Sequence, residues 1–252
     1  MKILILGGTG EAVELAEALT ARRHRVTTSL AGRTSQPHVP KGKLHVGNFG
    51  GIEGLTKFLR DGRFDYLIDA THPFAAQMSA HAVEAAAAAG TPLLRLERAP
   101  WTEPARGAWR HARDEVEAAR HLPTSATVFL TIGRQHLKPF IARTDCRFLL
   151  RSIEAPEKPL PENFVLQPGR PPFTLPNELS LLRHFAISHL VAKNSGGSQT
   201  AAKLEAAHLL KVHVVMIDRP VLAPAPTAAG VDAVLETIDH APASARRFRF
   251  FP

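Results

Sequence analysis

Met1-Lys-Ile-Leu-Ile-Leu-Gly-Gly-Thr-Gly-Glu-Ala-Val-Glu-Leu15 is the stretch on which the reading of the chain turns. Ile3 to Leu6 is an apolar run too short for a globular helix and suited to a strand buried on both faces. Gly7, Gly8 and Gly10 then permit a tight turn that brings backbone close to a ligand. From Glu11 the apolar spacing turns helical, with Ala12, Leu15, Ala16 and Leu19 on one stripe. Strand, glycine turn and helix N-terminus together make an anion site, because unpaired amides and the helix dipole both face the turn. Gly8-Thr9-Gly10-Glu11-Ala12-Val13 follows the dinucleotide fingerprint, with Val13 where its third glycine or alanine stands. The competing reading is a glycine-rich turn that only joins a strand to a helix. Position favours the ligand, since dinucleotide folds usually open on a first strand.

Composition sets the limits. At 252 residues, with 44% hydrophobic and 21% charged, the chain is globular and holds one large domain or two small ones. It lacks both a membrane-length apolar run and a secretory signal pattern, which predicts a soluble, cytoplasmic protein with no membrane partner. Cys146 is the only cysteine, so an intramolecular disulfide is impossible and a cysteine metal site is disfavoured. Lysine and arginine number 31 against 23 acids, a formal charge of +8. The basic residues are spread along the chain with few aromatics between them, so nucleic acid fits poorly; a polyanionic small molecule fits as well and needs no nucleic-acid motif.

After the first helix, Arg25 to Ala31 reads as a strand. An NAD site usually places an acid at its end, whereas here the chain runs Ala31-Gly-Arg-Thr-Ser35. A guanidinium and hydroxyls suit the 2′-phosphate of NADP(H), and the alternative is a solvated loop arginine. Leu44 to Gly47 is a short strand, and the helix after Gly47-Asn-Phe-Gly-Gly51 carries Ile52, Leu55, Phe58 and Leu59 on one face. Phe64 to Ala70 is a buried strand running into Thr71-His72-Pro73-Phe74, followed by an alanine-rich helix over Ala75 to Ala89 and a strand over Thr91 to Glu97. The end of the Phe64–Ala70 strand is expected beside the glycine turn, at the carboxyl edge where doubly wound sheets bind ligands. His72 there is a candidate proton donor or phosphate contact, or a structural histidine.

Ala99 to Gly107, with its prolines, reads as a linker, after which strands and helices alternate again. Strands are expected over Ala126 to Ile132, Arg147 to Ile153, His189 to Lys193 and Val212 to Ile217. Helices are expected over Asp114 to His121, Asn177 to Ile187 with Asn177 as cap, Thr200 to Leu210, and Val231 to Ile238. The fold class is therefore α/β: two Rossmann-like domains with mainly parallel sheets and a cleft between them. Residues 1–99 form the NADP(H)-binding domain and residues 100–252 the substrate side. Among known chemistries, the Tyr-x-x-x-Lys acid/base pair is absent, because Tyr66 is the only tyrosine and residue 70 is alanine. Zinc-protease and serine-elbow motifs are absent too, so no metal is expected and the hard chemistry falls to the nicotinamide.

Five motifs then occur in a telling order: Gly7-Gly-Thr-Gly-Glu-Ala12, Gly47-Asn-Phe-Gly-Gly51, Asp69-Ala-Thr-His-Pro-Phe-Ala75, Thr131-Ile-Gly-Arg134 and Lys193-Asn-Ser-Gly-Gly197. Over nearly its whole length the chain resembles the precorrin-6A reductases of cobalamin biosynthesis, including their relatives that act on the cobalt-loaded intermediate. The resemblance implies that NADPH delivers a hydride to a carbon of a ring-contracted tetrapyrrole, giving precorrin-6B, with a proton added at the neighbouring carbon. It supplies a partner for the positive charge, a macrocycle rich in carboxylates, and implies hand-over to neighbouring pathway enzymes. Arg134, Lys138, Arg151, Lys193 and Arg219 are the candidates to meet those carboxylates, Arg134 and Lys193 first because they lie at strand ends. For the cofactor, Gly8, Thr9, Gly10 and Glu11 are expected around the pyrophosphate and Arg33 and Thr34 on the 2′-phosphate. Thr71 and His72 fall near the ribose or nicotinamide, with Ser195 and Gly196 closing over that ring. His72 and Lys193 are candidate proton donors, alongside solvent and a substrate carboxyl group. A reductase of another polyanionic macrocycle and a non-catalytic NADP(H) sensor are the competing functions.

Overall fold

The computed structural model describes residues 1–32, 40–105, 107 and 109–241. The chain divides into two compact units, the first taking Met1–Arg98 together with the chain from Val221 onward and the second Ala99–Pro220.

In the first unit, β1 (Lys2–Leu6) is the centre of the sheet, with Ile3, Leu4 and Ile5 fully buried. A strand covered on both faces reads as a continuous apolar run, and this one does. Around it lie α1 (Gly10–Ala21), β2 (Arg25–Leu30), β3 (Lys43–Val46), α2 (Gly51–Gly62), β4 (Tyr66–Asp69), α3 (Ala76–Ala89) and β5 (Leu93–Leu96). The buried stripe of α1 is Ala12, Leu15, Ala16 and Leu19, the one its spacing predicts. Leu55 and Leu59 of α2 meet Ala82, Ala85 and Ala86 of α3 in a common core, where alanine lets the helices approach closely.

The second unit contains β6 (Trp109–Ala112), α4 (Glu115–Arg120), β7 (Thr127–Leu130), α5 (Lys138–Ile141), β8 (Arg147–Ser152), β9 (Phe164–Pro168), α6 (Leu175–His184), β10 (His189–Lys193), α7 (Ala202–Leu209) and β11 (His213–Ile217). The chain then returns to the first unit with β12 (Thr227–Ala228) and α8 (Val231–Asp239).

Two six-stranded sheets result, ordered β12-β5-β4-β1-β2-β3 and β6-β11-β10-β7-β8-β9. Every strand pairing among the described residues is parallel. In each sheet the strand order reverses at one place, between β1 and β4 in the first and between β7 and β10 in the second. The carboxyl ends of strands at such a reversal leave a crevice where α/β proteins bind ligands.

Three expectations need correction. The second unit ends at Pro220 rather than running to 252, because Thr227 and Ala228 pair with Arg95 and Leu96 and α8 buries Val234, Leu235 and Ile238 in the first core. The helix expected to start at Asn177 starts at Leu175, after Thr174. Pro176 stands in its first turn, where a missing N–H costs nothing. Asn177 is therefore inside the helix and not its cap. The expected linker is also less of a spacer than its prolines suggest, since Trp101 packs on the core of the second unit.

Candidate active site

Gly8 takes a φ of +112°, a conformation that L side chains rarely adopt, and the place where its Cβ would stand is open. Gly7 is glycine for a different reason: a Cβ there would come within 2.9 Å of Thr28 Cγ2 on β2. Thr9 is the cap of α1, its Oγ1 accepting from the Ala12 amide at 3.1 Å. The same hydroxyl donates to the Ala70 carbonyl at 2.9 Å. One side chain thus closes the first helical turn and ties the glycine turn to the end of β4, as the sequence reading expected of these two segments. Glu11 follows Gly10 in that first turn and pairs with Arg98 Nη1 at 2.5 Å, so its charge is matched beside the anion site. Arg33 and Thr34, the residues expected on a 2′-phosphate, lie outside the described residues.

The loop after β4 is organised by Asp69, whose side chain is 1% exposed. Its Oδ1 accepts from the Thr71 amide at 3.2 Å and from Thr71 Oγ1 at 2.7 Å. Its Oδ2 accepts from Arg95 Nε at 3.1 Å, and Arg95 Nη1 donates to the Ala223 carbonyl at 2.9 Å. Thr71 therefore belongs to the support of the loop. His72 is exposed at its tip, and its Nδ1 accepts from the Phe74 amide at 3.3 Å, which leaves the proton of the neutral ring on Nε2.

In the second unit, Lys193 ends β10 with Nζ 2.9 Å from Glu115 Oε1. His136 Nδ1 lies 3.1 Å from the same oxygen. Burial pushes the Glu115 carboxyl up, but the Lys193 hydrogen bond, the residue's own backbone amide and the charges of Lys193 and His136 outweigh it and hold the carboxyl below its ordinary range. The loop that follows is locked. Arg219 donates from Nε to the Asn194 carbonyl at 2.8 Å and from Nη2 to the Ser195 carbonyl at 3.0 Å. Trp101 donates from its amide to Asn194 Oδ1 at 2.8 Å and from Nε1 to the Gly197 carbonyl at 2.9 Å. Gly196, at φ +68°, has no room for a Cβ, which would stand 2.1 Å from the Ala99 carbonyl oxygen. Ser195 and Gly196 are accordingly held in one conformation, and Arg219 is the clamp that holds them.

The remaining candidates separate. Arg134, in the loop after β7, donates to the Ala155 carbonyl at 2.6 Å and faces Glu154 at 3.3 Å. Lys138 is exposed at the start of α5. Arg151 belongs to the interior: it meets Glu178 through Nη1 at 2.9 Å and Nη2 at 2.8 Å and stacks on Phe129 and Phe173. Glu178 is 1% exposed and requires such a partner, so the placing of Arg151 among the substrate contacts gives way to a structural role. Asp69, Arg95, Arg98, Glu115 and His136 were not anticipated. Asp69 and Arg95 did leave a signal, as charges set in strands whose neighbours are all apolar.

Two parallel sheets, each reversing at one point, with a strand–glycine turn–helix at the first reversal, define a doubly wound α/β protein of the ligand-binding type. Within that class the model of the precorrin-6x reductase family CbiJ/CobK matches residues 2–240, and the chain belongs to that family. It is similar to a precorrin-6A reductase of Rhodobacter capsulatus, 43% identical over 244 residues covering 95% of this chain and 96% of the relative. It resembles the solved structure of a CobK precorrin-6A reductase at 43% identity and a TM-score of 0.92, covering 96% of this chain and 97% of the other. A cobalt-precorrin-6A reductase of Priestia megaterium is 27% identical over 233 residues, 86% of this chain and 90% of that one. Among the described residues no helix is long and apolar enough to cross a membrane, and no group of three or more His, Cys, Asp or Glu side chains is placed to hold a metal ion.

Proposed function

We propose that this chain reduces metal-free precorrin-6A to precorrin-6B with NADPH, in the cytoplasm, as a step of cobalamin biosynthesis. The observation that carries the reading is the Thr9 hydroxyl bound to the Ala70 carbonyl, which joins the glycine turn to the Asp69–Ala75 loop at the reversal of the first sheet. The site suits a dinucleotide: the space above Gly8 is open, the N-terminus of α1 follows directly, and Arg98 neutralises the one adjacent carboxylate. Gly8, Thr9 and Gly10 hold the pyrophosphate, Arg33 and Thr34 the 2′-phosphate, and the Thr71–His72 loop the ribose. NADPH, when bound, supplies a hydride. The second unit binds the substrate carboxylates through Arg134 and solvent-exposed Lys138, after β7, while Arg219 and Trp101 hold the separate loop that follows Lys193. A metal-free substrate is supported by the greater identity to the precorrin-6A reductase, 43% against 27% for the cobalt-precorrin-6A relative.

The test is a spectrophotometric assay of the protein with NADPH and either precorrin-6A or its cobalt complex. NADPH oxidation with a changed macrocycle spectrum, faster on the metal-free substrate, is expected. Faster turnover of the cobalt complex would reverse the substrate assignment, and NADPH binding without turnover of either would leave a sensor. Arg33→Asp is expected to raise KM for NADPH far more than for NADH; equal loss of both would remove Arg33 from the 2′-phosphate.

A further inference from the structure

Several charges meet partners along the carboxyl edge of the second sheet. Arg134 faces Glu154, His111 faces Asp218 and Arg113 lies between Asp114 and Glu117. Glu115 is arranged differently. A single carboxylate oxygen serves both Lys193 Nζ at 2.9 Å and His136 Nδ1 at 3.1 Å. The three residues come from three separate places: Glu115 from the start of α4, Lys193 from the end of β10, and His136 from the loop after β7. Strands β7 and β10 flank the reversal of this sheet, so the cluster stands where a ligand is expected.

Exposure rises along the cluster. The Lys193 side chain is 10% exposed, that of Glu115 20% and that of His136 48%. A lysine and a glutamate alone already balance each other's charge. The added imidazole connects that pair to water, and imidazole is the side chain that exchanges protons with water most readily near neutral pH. A nearly buried ammonium, a carboxylate and a half-exposed imidazole form a line from an interior proton donor to solvent.

We infer that Lys193 delivers the proton that accompanies reduction of the macrocycle, and that Glu115 and His136 position it and return its proton; the inference rests on the reductase reading above. The substrate double bond takes a hydride at one carbon and a proton at the other. The π electrons form the new C–H bond with a proton from Lys193 Nζ, and the electrons of the broken N–H bond stay on nitrogen as the amine lone pair. The dihydronicotinamide that supplies the hydride loses the two electrons that the macrocycle gains. The proton on His136 then passes to Glu115 Oε1 and on to Lys193 Nζ, and His136 takes another from water, so each turnover consumes one solvent proton. Lys193 touches the reacting atoms; Glu115 and His136 act through it. His72, the other candidate donor, belongs to the first unit, at the tip of the loop after β4.

The experiment compares wild type with Lys193→Met, Glu115→Gln, Glu115→Asp and His136→Gly, using NADPH and precorrin-6A and checking each fold by thermal denaturation. Loss of a general acid is expected to lower kcat about 100-fold in Lys193→Met, with NADPH affinity unchanged. Glu115→Gln and His136→Gly are expected to lose about tenfold in kcat with little change in KM, since the relay then fails while binding persists. Imidazole added to His136→Gly restores turnover, and Glu115→Asp retains more activity than Glu115→Gln. NMR of the His136 ring gives a readout independent of turnover: its titration moves to lower pH in Glu115→Gln and to higher pH in Lys193→Met. Wild-type kcat in Glu115→Gln and His136→Gly, no response to imidazole, or a His136 titration indifferent to both neighbours would overturn the relay. Wild type that binds NADPH yet leaves precorrin-6A unreduced fails the reductase reading itself and takes the inference with it.

Discussion

Arg151 shows how burial decides the use of a charged side chain. Its sequence position, late in a strand, suits a substrate contact as well as Arg134 does. The difference lies in Glu178, which the sequence places on a helix far along the chain and the fold brings to Arg151 inside the second unit. Removing one partner of a buried pair strands the other, so Arg151→Ala is expected to cost about 3–5 kcal/mol of stability by urea denaturation. Replacing the pair together, Arg151→Met with Glu178→Leu, is expected to recover most of that loss, because apolar packing removes both desolvation costs. KM for precorrin-6A is expected to stay within twofold in the double variant. A large rise in KM with stability intact would return Arg151 to the substrate site. Asp69 and Arg95 follow the same rule in the first unit, where their pairing supports the Thr71–Phe74 loop.

At the scale of elements, Thr9 joins α1 to β4. Thr9→Ala removes the helix cap and the bond to Ala70 together, an expected loss of about 1–2 kcal/mol, together with weaker NADPH binding. Thr9→Ser keeps both bonds and is expected to keep both properties; an unchanged NADPH affinity in Thr9→Ala would separate the turn from the cofactor. A second prediction concerns the amino ends of β10 and β11, where His189 pairs with His213 in register and the rings stack at 5.2 Å. Burial, and then the charge of His213, holds His189 below its ordinary 6.5. The unfolded chain therefore binds the proton more readily than the folded one, and stability falls as pH drops through about 6.5 toward the lowered folded value. The Tm is expected to decline between about pH 7.5 and pH 5, and His189→Asn to flatten that slope. These elements were legible in different degrees. The β1–turn–α1 unit, the stripe of α1 and the apolar strands could be read because each is a local pattern of apolar residues and glycine. Strand β9, lying in a proline-rich stretch, and the two residues of β12 are too irregular or too short to show a period. The candidate site could be proposed where a motif carries it, at Gly8–Glu11 and Thr71–His72. It was hidden where pairing across the fold carries it, as between Glu115 and Lys193.

At the scale of the molecule, the two sheets share one strand plan, but only the first takes an outer strand from outside its own run of sequence. In the first, β12 arrives after the whole second unit; in the second, β6 opens the same run that builds the rest. A boundary drawn from composition misses such a return, since composition records where the chain changes character and not which sheet edge it joins. Charge, in contrast, is a property of the whole chain that the sequence states directly. A formal charge of +8 attracts a polycarboxylate from beyond contact distance and raises the rate of encounter. That attraction reaches about 10 Å at 0.1 M salt and about 3 Å at 1 M, so added salt weakens encounter before it disturbs paired groups such as Lys193 and Glu115. The value of kcat/KM for precorrin-6A is expected to fall several-fold between about 0.02 and 0.5 M sodium chloride, while kcat at saturating substrate changes little. Stopped-flow and steady-state measurements across that range separate the two quantities. A kcat/KM independent of salt would mean that the excess charge lies away from the path of the substrate, and that Arg134 and Lys138 act only after contact.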